Sequence, residues 1–244
     1  MRPSTDIAII IPVLDDLEAL IRLGQQIDRL HSAPAEVIVV TGTVDSTLGE
    51  HAREHGYHYV ESPVGRGIQL DRGAHLATAR ILWFLHADAE IEPTALDEIT
   101  RAVDRGADGG CFRFAFQGPV SAIKRTIEVG VALRVRCGGI AYGDQAIFCT
   151  RTAYRAAGGF THDPLFEEVA LIKGLRRPPH RFEALQAAIR VAPRRWERDG
   201  WLRRSLHNRW LALCYACGVS PRALDRRYRR ASATDEASPR MSRD

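Results

Sequence analysis

The chain has no apolar run approaching the ~18 residues of a membrane-spanning helix. Its start reaches Asp6 and then the strand-like Ile7–Ile11, without the basic segment and long apolar stretch of a secretory leader. Cysteine is sparse and odd in number: Cys111, Cys137, Cys149, Cys214 and Cys217. So scattered a set argues against a disulfide framework and for reduced thiols in the cytoplasm. A dominant charge is also missing. The formal net charge is +4 over 244 residues, with the two signs interspersed. That disfavours nucleic acid as a partner and leaves anionic small molecules or a weakly acidic membrane surface. No internal repeat is visible.

Two signatures are absent as well. Gly65-Arg66-Gly67 is not followed by a third glycine three residues on, and it comes after the third strand-like run rather than the first. A nicotinamide Rossmann enzyme is therefore disfavoured. No lysine-bearing Gly-rich loop follows the first run, which places a nucleotidyltransferase last among the readings.

What is present is ordinary globular material, 45% hydrophobic and 26% charged, enough to bury a sizeable core. Ile7–Pro12 is a nearly pure apolar run ending in proline, as expected of a strand covered on both faces. Leu17, Leu20, Ile21, Leu23, Ile27 and Leu30 recur at helical spacing. Further strands are expected at Glu36–Val40, Tyr57–Glu61 and Ile81–Leu85, and helices at Asp45–His55, Gly67–Ala79 and Thr94–Arg105. Such alternation implies βαβ units and a parallel sheet, whose ligands bind beyond the carboxyl ends of the strands.

After Gly106 the pattern loosens. Strands are expected at Cys111–Phe116, which alternates, at Gly143–Thr150 and at Ala187–Val191. Helices are expected at Val120–Val135, Arg151–Ala157, Glu167–Leu175, Leu202–Cys217 and Pro221–Arg230. Ala231–Asp244 is polar and aperiodic and reads as a disordered tail. Cys214 and Cys217 lie in a helical stretch without a partner pair and read as small packing residues.

Five constellations can carry chemistry. In His86-Ala87-Asp88 a buried strand runs into a polar triplet. Asp88 there can hold Mg²⁺ or Mn²⁺, or simply make a turn. Glu167-Glu168 opens a helix, either as favourable N-terminal charge or as a general base for a hydroxyl. Gly65-Arg66-Gly67, with Gln69 behind it, is a phosphate-binding helix start or an ordinary loop. Gly143-Asp144-Gln145 is a polar corner before an apolar strand. Arg194-Arg195-Trp196 offers guanidinium groups suited to phosphate, or a solvated face.

In order and spacing, these elements resemble the family-2 glycosyltransferases of GT-A fold, from about Ile7 to about Arg229. The matching stretches are Ile9-Ile10-Ile11-Pro12-Val13-Leu14, Gly65 to Gln69, Phe84 to Asp88, Gly143 to Phe148, Gly158-Gly159-Phe160, Pro164 to Val169, and Arg194-Arg195-Trp196. The likeness is greatest to a bacterial subgroup of the arsenosugar-biosynthesis type. The resemblance implies an α/β fold with a mostly parallel sheet, a glycosyltransferase domain over residues 1–200 and packed C-terminal helices over 201–230.

It also implies roles. Pro12, Val13, Asp15, Thr41, Arg66, Gln69, His86, Ala87 and Asp88 would bind a nucleotide-diphosphate sugar, and Asp88 with His86 would hold Mn²⁺ or Mg²⁺. Glu168, with Glu167 before it, would be the base for an inverting displacement by a hydroxyl acceptor. Gly143, Asp144, Gln145, Arg195 and Trp196 would shape the sugar and acceptor end.

Three residues depart from the family pattern. Thr41 stands where an acid contacts the nucleobase, which weakens a uridine preference. Glu168 replaces an aspartate, and Asp15-Asp16 replaces Asn-Glu. A non-catalytic or impaired binding protein with an altered nucleotide pocket is thus the second reading. Finally, Trp201, Leu202, Leu206, Trp210, Leu211 and Leu213 mix with Arg203, Arg204 and Arg209. Such a helix either packs on the core or lies on the inner face of a membrane, where a lipid-linked acceptor would fit.

Overall fold

A computed structural model of the chain describes residues 2–227. Seven strands are joined in one sheet: β1 (Ile7–Val13), β2 (Glu36–Thr41), β3 (His58–Glu61), β4 (Ile81–Phe84), β5 (Gly109–Phe116), β6 (Phe148–Thr150) and β7 (Phe182–Val191). Their order across the sheet is β3-β2-β1-β4-β6-β5-β7. β1 pairs in parallel with β2 and β4, β2 with β3, and β5 with β7, while β6 runs antiparallel to both its neighbours. The chain thus has the expected α/β architecture with a mostly parallel sheet.

The helices are α1 (Leu17–Ile27), α2 (Ser46–Glu54), α3 (Arg66–Leu76), α4 (Ala95–Asp104), α5 (Ala122–Arg136), α6 (Arg151–Ala156), α7 (Val169–Leu175), α8 (Arg194–Asp199) and α9 (Trp201–Ala216). A further helical stretch covers 221–227. The two-residue period of a strand sends alternate side chains to opposite faces. Ile7, Ile9, Ile11 and Val13 of β1 enter a core with α1 and α4 side chains such as Leu20, Leu23, Leu96 and Ile99. Ala8 and Ile10 enter a second core with Leu70 and Ala74 of α3 and Leu171 and Ile172 of α7. A parallel strand covered on both faces, as β1 is, needs apolar side chains along its length, which is why it reads as an unbroken apolar run.

Four expectations are corrected. β5 does not alternate: every residue but Arg113 is buried, because helices cover both of its faces. Gly143–Thr150 is not one strand. It opens as a 3₁₀ turn, Gly143–Gln145, then Ala146 takes a left-handed φ of 44°, and only Phe148–Thr150 joins the sheet. α8 has no counterpart in the sequence reading. Cys217 is exposed at the end of α9 rather than packed, and all five cysteines are free. The expected tail 231–244 lies outside the described residues. Among the described residues, no helix is long and apolar enough to cross a membrane.

Candidate active site

The carboxyl ends of β1, β2, β3 and β4 lie along one edge of the sheet, with Val13 paired to Thr41 and Thr41 to Glu61. That edge carries the loops singled out in the sequence. Asp15 takes a left-handed φ of 50° just beyond β1. Its carboxylate accepts from the Thr43 hydroxyl at 2.9 Å, while the buried Thr41 hydroxyl donates to the Thr43 carbonyl at 2.7 Å. The hydroxyl that replaces the expected acid is therefore bonded within its own loop.

Gln69 is buried, and its amide donates to the carbonyls of Val13 at 2.9 Å and Val40 at 2.8 Å. It ties β1 to β2 beneath the edge. Pro12 and Val13 supply the strand end itself, and Ala87 packs against the core.

Arg66 begins α3, and its Nε donates to Glu167 in a close ion pair. The approach depends on Gly67, where a Cβ would fall 2.1 Å from the Thr161 carbonyl oxygen and 2.9 Å from Glu167 Cβ. Phe166, at φ 63°, turns the chain sharply before the two acids. Its ring stacks on Tyr215 of α9 with centroids 4.7 Å apart, so α9 reaches over this turn.

Glu167 and Glu168 are only 1% and 3% exposed. Glu168 caps α7 without a side-chain hydrogen bond to it, and its Oε2 is buried with no partner among the described residues. Burial first, and the neighbouring Glu167 charge second, push its carboxyl up to about 8, against the pull of Arg66.

His86 follows β4. Burial, with the charges of Arg66 and Arg195 behind it, pushes its imidazole down to about 3, so the ring is neutral at physiological pH. Its Nε2 is buried without a hydrogen-bond partner, and a Cβ on Gly143 would lie 3.0 Å from it. Asp88 is exposed two residues on. Asp144 is raised by burial; Arg134 and Arg66 pull it down, and the charge of Asp88 pushes it up further.

Arg66, His86, Asp88, Asp144, Glu167, Glu168 and Arg195 thus share one electrostatic neighbourhood. Two of the expected residues are used differently. Gln145 donates to the Phe112 carbonyl at 3.3 Å and accepts from Arg134 at 3.2 Å inside the protein. Trp196 packs edge-on against Phe116 at 4.9 Å.

Three participants escaped the sequence reading. Arg134 lies 4.6 Å over the Tyr142 ring, and Tyr142 and Tyr215 both feel the Glu168 charge. Only the position of Tyr142, directly before Gly143, carried any local signal.

For a divalent cation, the neutral His86 with its unpartnered Nε2 and the exposed Asp88 are suitable in kind, one nitrogen and one oxygen donor. Among the described residues, three ligand atoms do not converge here. The protein would supply part of a coordination shell that a diphosphate could complete.

Solved structures share this architecture. A mannosyltransferase from Pyrobaculum calidifontis, solved with GDP-Man and Mn²⁺, matches with a TM-score of 0.64 at 18% identity, over 91% of this chain and 66% of that one. Glucosyl-3-phosphoglycerate synthase from Mycobacterium tuberculosis, solved with Mn²⁺, UDP and phosphoglyceric acid, matches at 0.59 and 16% identity, over 89% and 79%. The S. aureus TarS fragment matches at 0.58 and 13%, over 82% and 63%. This chain therefore spans less than two thirds of the TarS fragment and about two thirds of the mannosyltransferase. These likenesses speak for the fold, which is the GT-A glycosyltransferase fold.

The chain belongs to glycosyl transferase family 2, whose family model matches residues 8–153, more than half of its length. It is a family-2 glycosyltransferase. Comparison with curated proteins gave no match.

Proposed function

We propose that the protein moves a sugar from a nucleotide-diphosphate donor to a hydroxyl acceptor with inversion at the anomeric carbon. The observation that carries this is Glu168: a buried carboxyl at the carboxyl edge of the sheet, its Oε2 without a hydrogen-bond partner among the described residues, pushed up to about 8, beside the Arg66–Glu167 pair. Because Arg66 engages Glu167, Glu168 is the acid available as base.

In this reading, Glu168 takes the proton of the acceptor hydroxyl. The acceptor oxygen bonds to the anomeric carbon as the bond from that carbon to the diphosphate oxygen breaks. Asp88 and His86 would hold Mn²⁺ or Mg²⁺, which when bound offsets charge on the departing diphosphate. Arg66 and Arg195 add positive charge at the same edge. Asp15 and the Thr41 loop border the nucleotide, and Gly143 and Asp144 border the sugar.

The mannosyltransferase and synthase solved with Mn²⁺ and a nucleotide support the cation assignment by analogy. The closer affinity to the arsenosugar-biosynthesis type, and a bacterial cytoplasmic setting, belong to the same proposal. So does the division into a transfer domain over 1–200 and packed helices beyond it.

The test is calorimetric titration of UDP and GDP in Mn²⁺ on the wild type and on Asp88→Ala. Metal-dependent binding that Asp88→Ala abolishes supports the proposal and names the preferred base. The second reading, a binding protein with an altered pocket, is favoured by the internal bond of the Thr41 hydroxyl. It prevails if neither nucleotide binds.

A lipid-linked acceptor is the finer part of the proposal. Leu202, Leu206, Trp210 and Leu213 are exposed on α9 at spacings that form one stripe, with Arg203 and Arg209 alongside. Such a face suits an anionic interface. Flotation with anionic but not neutral vesicles is expected, and loss of it in Leu206→Glu/Leu213→Glu.

A further inference from the structure

α2 carries a cluster that the glycosyl-transfer site does not use. His51 stands about one helical turn before both Glu54 and His55, the spacing at which side chains share a face. Each offers a ligand atom, and these atoms all lie within 4.8 Å of one another. The two imidazole rings are tilted against each other with centroids 4.2 Å apart.

The hydrogen bonding prepares them as ligands. The His55 Nδ1–H donates to the His51 carbonyl at 2.9 Å, which leaves the lone pair on Nε2. A backbone carbonyl holding one ring nitrogen so that the other can bind is the usual outer support of a metal-bound histidine. The His51 Nε2 is buried and has no hydrogen-bond partner.

The cluster is separate from the site at the strand ends. α2 begins at its cap Asp45, beside the loop after β2, and runs about 13 Å at 1.5 Å per residue. His51 to His55 lie at its far end, just before β3 begins at His58. They sit toward the amino end of the sheet, opposite the edge that carries His86 and Asp88.

We propose that His51, Glu54 and His55 form a second metal site, for a borderline first-row dication such as Zn²⁺. Two imidazole nitrogens and one carboxylate suit Zn²⁺, Ni²⁺ or Cu²⁺ and not Mg²⁺ or Ca²⁺, which take oxygen ligands. Three protein ligands leave a fourth position open to solvent or another donor. The bound ion would clamp the last turn of α2 to its C-cap residue His55, just ahead of β3.

The experiment uses the full chain with any affinity tag removed. Zn²⁺ is titrated calorimetrically into the wild type, His55→Ala, Glu54→Gln and Asp88→Ala, and each variant's fold is checked by circular dichroism. His55 and Glu54 are exposed, so their replacement leaves the core intact. Co²⁺ spectra are recorded in parallel, because Cys137 and Cys217 are exposed thiols that could compete.

The expected result is binding in a one-to-one ratio, retained in Asp88→Ala. Losing an outer-shell partner already weakens such sites by about 10–100-fold, so loss of a ligand in His55→Ala should cost more than about tenfold. The Co²⁺ spectrum should lack a thiolate charge-transfer band. Equal affinity in all four proteins, a thiolate band, or no Zn²⁺ binding by the wild type overturns the proposal.

Discussion

Arg66 and Glu167, far apart in sequence, meet as an ion pair in which Arg66 Nε donates to a carboxylate that is 1% exposed. Both members of the pair act on the adjacent acid. Glu168 is held up first by burial and then by the Glu167 charge, while Arg66 pulls it down. Glu167→Gln removes the second cause and leaves the first. The Glu168 carboxyl should then ionise below about 8. The rising limb of kcat/KM against pH, which reports the free enzyme's base, should move to lower pH. A donor-hydrolysis assay across pH reads this. An unmoved limb would mean that Glu168 is not the base.

Removing Arg66 has the opposite sign. Arg66→Ala leaves Glu167 buried without its partner, and breaking a fully buried pair costs about 3–5 kcal/mol. Arg66 is 42% exposed, so water screens part of the loss and about 2 kcal/mol is the expected cost. The urea midpoint should fall accordingly. A midpoint unchanged at pH 7 would show that the pair adds nothing to stability.

Glu168 also links stability to pH. Its carboxyl is raised from 4.5 to about 8 in the folded state. Between those values the folded chain holds a proton that the unfolded chain releases. The contribution is fully present below about 4.5, falls as pH rises, and is gone above about 8. His86 acts with the other sign. It is neutral in the fold, so it costs stability as pH falls from 6.5 towards about 3. The comparison of wild type with Glu168→Gln isolates the acid. The wild type should lose stability relative to the variant between pH 5 and 8, measured by denaturant midpoints. Parallel curves would sink the assignment.

Much of this edge was legible in the sequence, for a physical reason. A parallel strand covered on both faces must be apolar throughout, so β1, β2 and β4 announced themselves and located the loops that follow. α8 did not, because none of its residues is buried and no apolar period marks it. The 3₁₀ turn at Gly143–Gln145 was hidden by the apolar residues behind it, since the left-handed φ of Ala146 has no compositional sign. Arg134 and Tyr215 come to the site from α5 and α9, and that convergence is tertiary. Gln69 fell inside a recognisable motif, yet both its amide hydrogen bonds go to strand carbonyls.

That placement of Gln69 is itself testable. Gln69→Leu would leave the carbonyls of Val13 and Val40 buried without this donor. An unsatisfied buried group costs about 1–3 kcal/mol, so a loss of about 2 kcal/mol or more is expected from the variant. The strand ends that carry the nucleotide loops would loosen with it. Nucleotide binding should therefore weaken in step with stability. A variant as stable as wild type that binds no nucleotide would instead make Gln69 a direct ligand contact.

Gly67 tests the site's geometry from the opposite side. A methyl group there would meet the Thr161 carbonyl oxygen at 2.1 Å, a backbone atom that cannot swing aside as a side-chain tip can. Either α3 or the turn over residues 161–167 must shift. Overpacking of this kind costs about 1–3 kcal/mol. The shift would also pull Glu167 from Arg66, since Glu167 Cβ stands 2.9 Å from the same position. Gly67→Ala should therefore lose more activity than its lowered stability explains, with the Glu168 limb of the pH profile displaced upward as Arg66 withdraws. Gly56→Ala is the control: the glycine has positive φ and no neighbour within 4 Å, so it tests backbone strain without overpacking. If the two variants lose stability alike and neither moves the pH profile, the close approach of α3 to the acid turn has no bearing on catalysis.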